Sequence, residues 1–213
     1  MIKALLCDFD GTLANTLPLY VKAYKNTLHV FGFEYSDSRI YKHCFGRTEE
    51  AICNELGIPE RVVEFRKVYF SMTNTFSNHV SLFEDVKSVL IEIKKRKIKL
   101  AVVSFALRWY IDKMVKDLKL EEFFDLLIAF EDVKNPKPAP DAALKACNEF
   151  GISPSESVVI GDAKNDIFMG KSAGTKTALF FPKEHEDVYD INSLKQTNPD
   201  YIIHTWKELE KIL

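Results

Sequence analysis

The sequence predicts a doubly wound α/β protein with an all-helical block set into it just after the first strand. Three observations carry that prediction. Short apolar runs at residues 2–7, 98–103, 157–160 and 177–181 are of the continuous kind that parallel strands buried on both faces require. Between the later runs lie segments with apolar residues at helical spacing, and strands alternating with helices pair in parallel through crossovers. From residue 16 to residue 80 the pattern is helical throughout, with no convincing strand.

Residues 2–7 read as a buried strand that stops abruptly at Asp8-Phe9-Asp10-Gly11-Thr12. Residues 17–31 then place Leu19, Ala23, Leu28 and Phe31 at helical spacing and close on Gly32. Helices follow at 36–44, 47–56 and 59–76, with Asp37, Thr48 and a first-turn Pro59 as their start signals. Residues 85–97 form a helix with Val86, Val89, Leu90 and Ile93 on one stripe. A strand at 98–103 ends at Ser104, a helix spans 107–118, and a short strand spans 126–130. Residues 139–150 make a helix closed by Gly151, and 157–160 make a strand ending in Gly161-Asp162. A helix at 165–173, a strand at 177–181, a strand at 201–203 and a helix at 205–212 complete the chain. The expected division is an α/β core of residues 1–15 and 81–213 with a helical domain of residues 16–80.

At 213 residues, 46% hydrophobic and 28% charged, with 8 Gly and 8 Pro, the chain has the composition of an ordinary globular protein. Its net charge of -2 offers no nucleic-acid surface. The basic cluster Lys94-Lys95-Arg96-Lys97 falls where a helix ends and reads as its solvated C-terminus. Four cysteines, Cys7, Cys44, Cys53 and Cys147, lack the spacing of a zinc site or a disulfide framework and suit a reducing compartment. No basic-then-apolar leader and no run of membrane-spanning length is seen, so the expectation is a cytoplasmic protein without a membrane partner.

In doubly wound sheets, ligands bind outside the carboxyl ends of the strands, where strand order reverses. The residues at those ends are Asp8 and Asp10, Ser104, and Asp162 with Asp166 four residues on. Lys137 stands just ahead of a helix in Asn135-Pro136-Lys137-Pro138-Ala139-Pro140. Each has a purely structural reading: an Asp-Gly turn, a strand-end hydroxyl, a solvated lysine in a rigid turn, two carboxylates capping a helix. Their convergence on one sheet edge argues for a single site. Carboxylates at the end of a buried strand are costly unless paired, metal-bound or used in chemistry.

In these motifs the sequence resembles the haloacid-dehalogenase-like (HAD) superfamily, in its phosphoglycolate-phosphatase-like branch with a small helical cap. Asp8-Phe9-Asp10-Gly11-Thr12-Leu13 resembles the first family motif, and Ser104 ends a strand as the second does. Lys137 in Lys-Pro-Ala-Pro-Asp resembles the third, and Gly161-Asp162-Ala163-Lys164-Asn165-Asp166 the fourth. The resemblance covers essentially the whole chain and implies a Rossmann-like core with an inserted cap. It implies that Asp8 attacks phosphorus to form an aspartyl phosphate, and that Asp10 protonates the leaving alcohol and then activates water. It further implies Mg²⁺ held by Asp8, the backbone carbonyl of Asp10, and Asp162. Asp166 either orients these groups or binds directly. Lys137 would balance charge near Asp8, Ser104 would bond a phosphoryl oxygen, and backbone N–H groups around Phe9, Asp10 and Phe105 would add donors. The second aspartate separates the chain from the dehalogenases that name the superfamily.

Phe105 stands where many relatives have Asn, Asn15 where Asp is frequent, and Ala163 where Ser or Thr is frequent; these departures bear on substrate preference. The resemblance also implies a cap that closes over the substrate and reads its leaving group. Gly46-Arg47 resembles a family loop facing the active site. There Arg47 is either a fork for a substrate carboxylate or a solvated helix-start arginine. Arg39, Lys42 and His43 read as surface residues, and Phe105, Trp109 and Tyr110 as core or pocket wall. His29, His79, His185 and His204 have no metal-ligand spacing and read as structural. The expected activity is Mg²⁺-dependent hydrolysis of a small phosphorylated metabolite such as phosphoglycolate, by a monomer or homodimer. The alternatives are an inorganic pyrophosphatase, a sugar-phosphate mutase and a catalytically silent binding protein.

Overall fold

The chain is described by a computed structural model at residues 1–76 and 79–213, and it is built around its first strand. That strand, β1 (Ala4–Cys7), is buried at all four positions and pairs in parallel with a strand on each side. Ala4 and Leu6 pack on one face with Ala142, Ala143, Ala146 and Cys147 of the helix Asp141–Phe150 and Met169 of the helix Lys164–Ala173. Leu5 and Cys7, equally buried, point the opposite way. A strand covered on both faces has no use for alternating polar residues, which is why its run is continuous.

In chain order the core elements are β1, α5 (Val86–Lys95), β2 (Lys99–Val103), α6 (Arg108–Asp117), β3 (Leu126–Ile128), α7 (Asp141–Phe150), β4 (Ser157–Gly161), α8 (Lys164–Ala173), β5 (Lys176–Phe180), α9 (Ile191–Lys195) and β6 (Tyr201–Ile203). They make one six-stranded parallel sheet in the order β3-β2-β1-β4-β5-β6, with helices on both faces. Strand order reverses at β1, which places the switch point between β1 and β4. The insert leaves and returns at one place, where the Phe83 N–H donates to the carbonyl of Leu13 at 3.1 Å.

The chain divides into two compact units, residues 1–15 with 82–213, and residues 16–81. The second is helical: α1 (Leu17–Val30), α2 (Asp37–Cys44), α3 (Glu49–Leu56) and α4 (Val62–Phe76). Its own core is aromatic, with Tyr24 stacked on Tyr69 at 4.3 Å between ring centres and Phe31 against Phe65 at 5.2 Å. Among the described residues no helix is long and apolar enough to cross a membrane. The four cysteines are free and buried.

Local hydrogen bonding moves several expected boundaries. Ser36, not Asp37, caps α2, accepting from the Arg39 N–H at 3.3 Å. Thr48 caps α3 as expected, accepting from Ala51. Pro59–Arg61 is a 3-10 turn, so the last helix of the insert begins at Val62. The strand expected to reach residue 130 ends at Ile128, because Phe130–Asp132 turns away as a 3-10 segment. The C-terminal segment Trp206–Lys211 is a 3-10 helix rather than an α-helix. Glu208 Oε1 accepts from the N–H groups of both His204 and Thr205, and so short a segment tightens readily to the i+3 pattern.

That last segment carries Trp206, fully buried against Phe180, whose indole Nε1 donates to the carbonyl of Thr12 at 3.0 Å. The end of the chain thus holds the loop that follows β1. Trp206→Ala is expected to cost about 3–5 kcal/mol, the usual penalty for emptying a large aromatic site. Urea unfolding read by far-UV circular dichroism measures it, and a loss under about 1 kcal/mol would mean that the tail is not integral to the core.

Candidate active site

The site starts from strand register. Cys7 lies opposite Ile160, and the Asp8 N–H continues the ladder by donating to the Ile160 carbonyl at 2.9 Å. Asp8 is thereby set abreast of the Gly161-Asp162 corner at the carboxyl end of β4. Lys137 enters from the proline-rich loop before α7. Its Nζ lies 2.6 Å from Asp8 Oδ1 and 2.6 Å from Asp166 Oδ1, with side-chain exposures of 4%, 11% and 3% for Lys137, Asp8 and Asp166. Asp166 also caps its helix, its Oδ2 accepting from the Ala163 N–H at 3.1 Å. Asp166 thus caps its helix with one oxygen and meets Lys137 with the other.

Two glycines make room for this packing. A Cβ on Gly161 would lie 2.2 Å from Cγ of Asp166, and one on Gly11 would lie 2.5 Å from Oδ2 of Asp162. Gly11 also has φ +79°, a left-handed conformation that glycine adopts freely.

Oxygens of Asp8, Asp162 and Asp166 all lie within 4.8 Å of one another. Against three carboxylates the cluster sets the one ammonium of Lys137. Burial pushes the Asp8 carboxyl well above the usual range; Lys137 opposes this, while the charges of Asp166 and Asp162 add to it. Burial, then the Asp166 charge, pushes Asp162 up to about 7. Burial works against the Lys137 charge, but Asp166 and Asp8 outweigh it and hold the amine above the ordinary lysine range. The surplus negative charge and the hard oxygen donors suit a divalent cation such as Mg²⁺.

The remaining expected residues have other partners. Asp10 Oδ1 accepts from the Tyr110 hydroxyl at 3.0 Å. Ser104, at the end of β2, accepts the Ala106 N–H on Oγ at 3.0 Å, which leaves its own O–H to donate. Phe105 packs edge-on against Phe130 at 5.1 Å. Arg47, in the helical unit, bonds Glu55 and donates to the carbonyls of His43 at 3.1 Å and Ala51 at 3.4 Å.

Several contacts have no counterpart in the sequence reading. Thr12 Oγ1 donates to Asp162 Oδ1 at 3.1 Å, and the Tyr189 hydroxyl donates to Asp162 Oδ2 at 2.7 Å. Thr12 lies inside the first motif and was legible by position. Tyr110, read as core or wall, holds a site carboxylate. Tyr189 sits beyond every motif, with no local signal to mark it.

A parallel sheet bearing buried carboxylates and a lysine at its switch point is an arrangement suited to phosphoryl transfer. Residues 5–180 match the family model of the haloacid dehalogenase-like hydrolases, and the chain belongs to that family. It is 30% identical to pyrophosphatase PpaX of Halalkalibacterium halodurans, over 100% of this chain and 97% of that protein. With pyrophosphatase PpaX of Bacillus cereus it shares 28% identity over 100% of this chain and 96% of that protein. Its fold matches a HAD family hydrolase from Deinococcus radiodurans, solved with bound phosphate and sodium, with a TM-score of 0.82 at 19% identity over 99% and 94% of the two chains.

The raised carboxyl of Asp162 makes a signed prediction for protein stripped of divalent cations. Between the unfolded-state value near 4 and the folded value of about 7, the folded state holds the extra proton. Asp162 therefore costs stability as pH rises through that window. His185, buried among Phe83, Phe180 and Phe181 and pushed down to about 4 by burial, works in the opposite direction. Comparison with Asp162→Asn cancels the histidine. In chelator-treated protein the variant is expected to gain stability relative to wild type from pH 5 to pH 8, measured by urea midpoints. A constant difference across that range would show that Asp162 carries no raised pKa.

Proposed function

We propose that the protein is a Mg²⁺-dependent phosphatase that hydrolyses a small phosphorylated metabolite through an aspartyl-phosphate intermediate, in the cytoplasm. The observation that carries the reading is the buried Lys137 bridging Asp8 and Asp166 at 2.6 Å each. It supplies fixed positive charge beside a carboxylate that must attack an anion. An oxygen of ionised Asp8 forms a bond to phosphorus as the ester P–O bond breaks, and Asp10 gives its proton to the departing alcohol oxygen. Asp10, now a carboxylate, takes a proton from water as that water's oxygen attacks phosphorus. Asp8 and inorganic phosphate are released. Ser104 donates its hydroxyl hydrogen to a phosphoryl oxygen.

Asp8, the backbone carbonyl of Asp10, and Asp162 would hold the Mg²⁺; the oxygen-only donors and the 4.8 Å cluster fit a hard cation. When bound, the ion offsets the charge of substrate phosphate and carboxylates. Asp166, with one oxygen on Lys137 and the other on the Ala163 N–H, acts mainly by holding the lysine.

Inorganic pyrophosphate is the second reading, favoured by two observations. Full-length relatives at 30% and 28% identity carry the name pyrophosphatase. Arg47, read either as a fork for a substrate carboxylate or as a solvated arginine, is engaged by Glu55 and two carbonyls of its own unit.

Phosphate release from a panel containing phosphoglycolate, sugar phosphates and pyrophosphate, with Mg²⁺ and with EDTA, tests both. Turnover is expected only with Mg²⁺ and is expected to fall at least about a thousandfold in Asp8→Asn. The preferred compound chooses between ester and pyrophosphate. No release from any compound would overturn the phosphatase reading.

A further inference from the structure

We propose that Tyr110 is a positioning residue for the proton-transferring carboxyl of Asp10, an inference that rests on the phosphatase reading above. Tyr110 lies on α6, outside the motifs, and is 8% exposed. Its hydroxyl donates to Asp10 Oδ1 at 3.0 Å across 100 residues of sequence. Its ring is held edge-on by Phe9 at 6.4 Å and by Trp109 at 6.0 Å, so the hydroxyl is delivered by a packed side chain rather than by a flexible one.

The chemistry gives this contact a purpose. Asp10 has to donate a proton to the leaving group and then accept one from water at nearly the same point in space. A carboxylate is two-fold symmetric about its terminal torsion, and that torsion is broad. Nothing intrinsic to the group decides which oxygen carries the proton. The Tyr110 hydrogen on Oδ1 breaks the symmetry, so the transferred proton sits on Oδ2 in both half-reactions. The position of Asp10 adds to the need for such a hold. It immediately precedes Gly11, whose positive φ turns the chain away from the line of β1.

Tyr110→Phe removes the hydroxyl and keeps the ring. The readout is kcat/KM for two esters, phenyl phosphate and 4-nitrophenyl phosphate, by the same preparation, since kcat/KM reports the steps up to alcohol release and leaves out the shared hydrolysis of the intermediate. Phenolate leaves poorly without a proton, whereas 4-nitrophenolate leaves readily, so only the first ester leans on the acid. The variant is expected to lose about tenfold more kcat/KM on phenyl phosphate than on 4-nitrophenyl phosphate. Because the result is a ratio from one preparation, the fraction of folded protein cancels. In an Asp10→Asn background the same substitution is expected to change either kcat/KM by less than about twofold, since its target is gone.

Equal losses on the two esters, or an undiminished effect in the Asp10→Asn background, would overturn the assignment and leave Tyr110 a packing residue. A wild-type enzyme that releases phosphate from no compound, pyrophosphate included, would overturn the phosphatase reading and this proposal with it.

Discussion

The ammonium of Lys137, buried between Asp8 and Asp166, is the interaction on which the rest of the site depends. A lysine this far from water sheds its proton unless negative charge is beside it. Three carboxylates with oxygens within 4.8 Å of one another repel unless positive charge is among them. Each side of the arrangement makes the other tolerable, and removing one partner of such a buried set typically costs about 3–5 kcal/mol. Close geometry is then required of the backbone. Prolines on both sides of Lys137 restrict the loop that delivers it. The absent Cβ of Gly161 lets Asp166 approach the end of β4.

The loop after β1 is held from several distant parts of the chain. Thr12 reaches Asp162 through its hydroxyl and receives the Trp206 indole on its carbonyl. Asp10 receives Tyr110, and Asp162 receives Tyr189. Donor hydrogens thus hold the flanking carboxylates while Lys137 holds the central pair. Orientation in phosphoryl transfer is worth as much as the charge itself, because little covalent chemistry is left for other groups to do.

Charge also bears on the substrate. The surplus negative charge at the sheet edge favours a cation, and a bound cation in turn favours a phosphate ligand. It does not distinguish an ester from pyrophosphate. The helical unit carries Arg47, read either as a fork for a substrate carboxylate or as a solvated helix-start arginine, and its guanidinium binds Glu55 and two carbonyls of the same unit.

The sequence alone determined the strand-and-helix rhythm and the residues at the strand ends. β1, β2 and β4 are buried on both faces, so burial wrote them as continuous apolar runs; the candidate site begins where those runs stop, at Asp8, Ser104 and Asp162. Period and punctuation are local properties, and they survive in one dimension. The 3-10 turns and the five-residue α9 were not legible, since segments so short complete no hydrophobic period. Tertiary structure decided the partners: Lys137 with Asp8 across 129 residues, Tyr110 with Asp10 across 100, Trp206 with Thr12 across 194. Those pairings follow from which strands become neighbours and what packs behind them. A tyrosine that buries its ring in a core and one that also aims its hydroxyl at a carboxylate look the same in a sequence, because the difference lies wholly in what the fold sets opposite it.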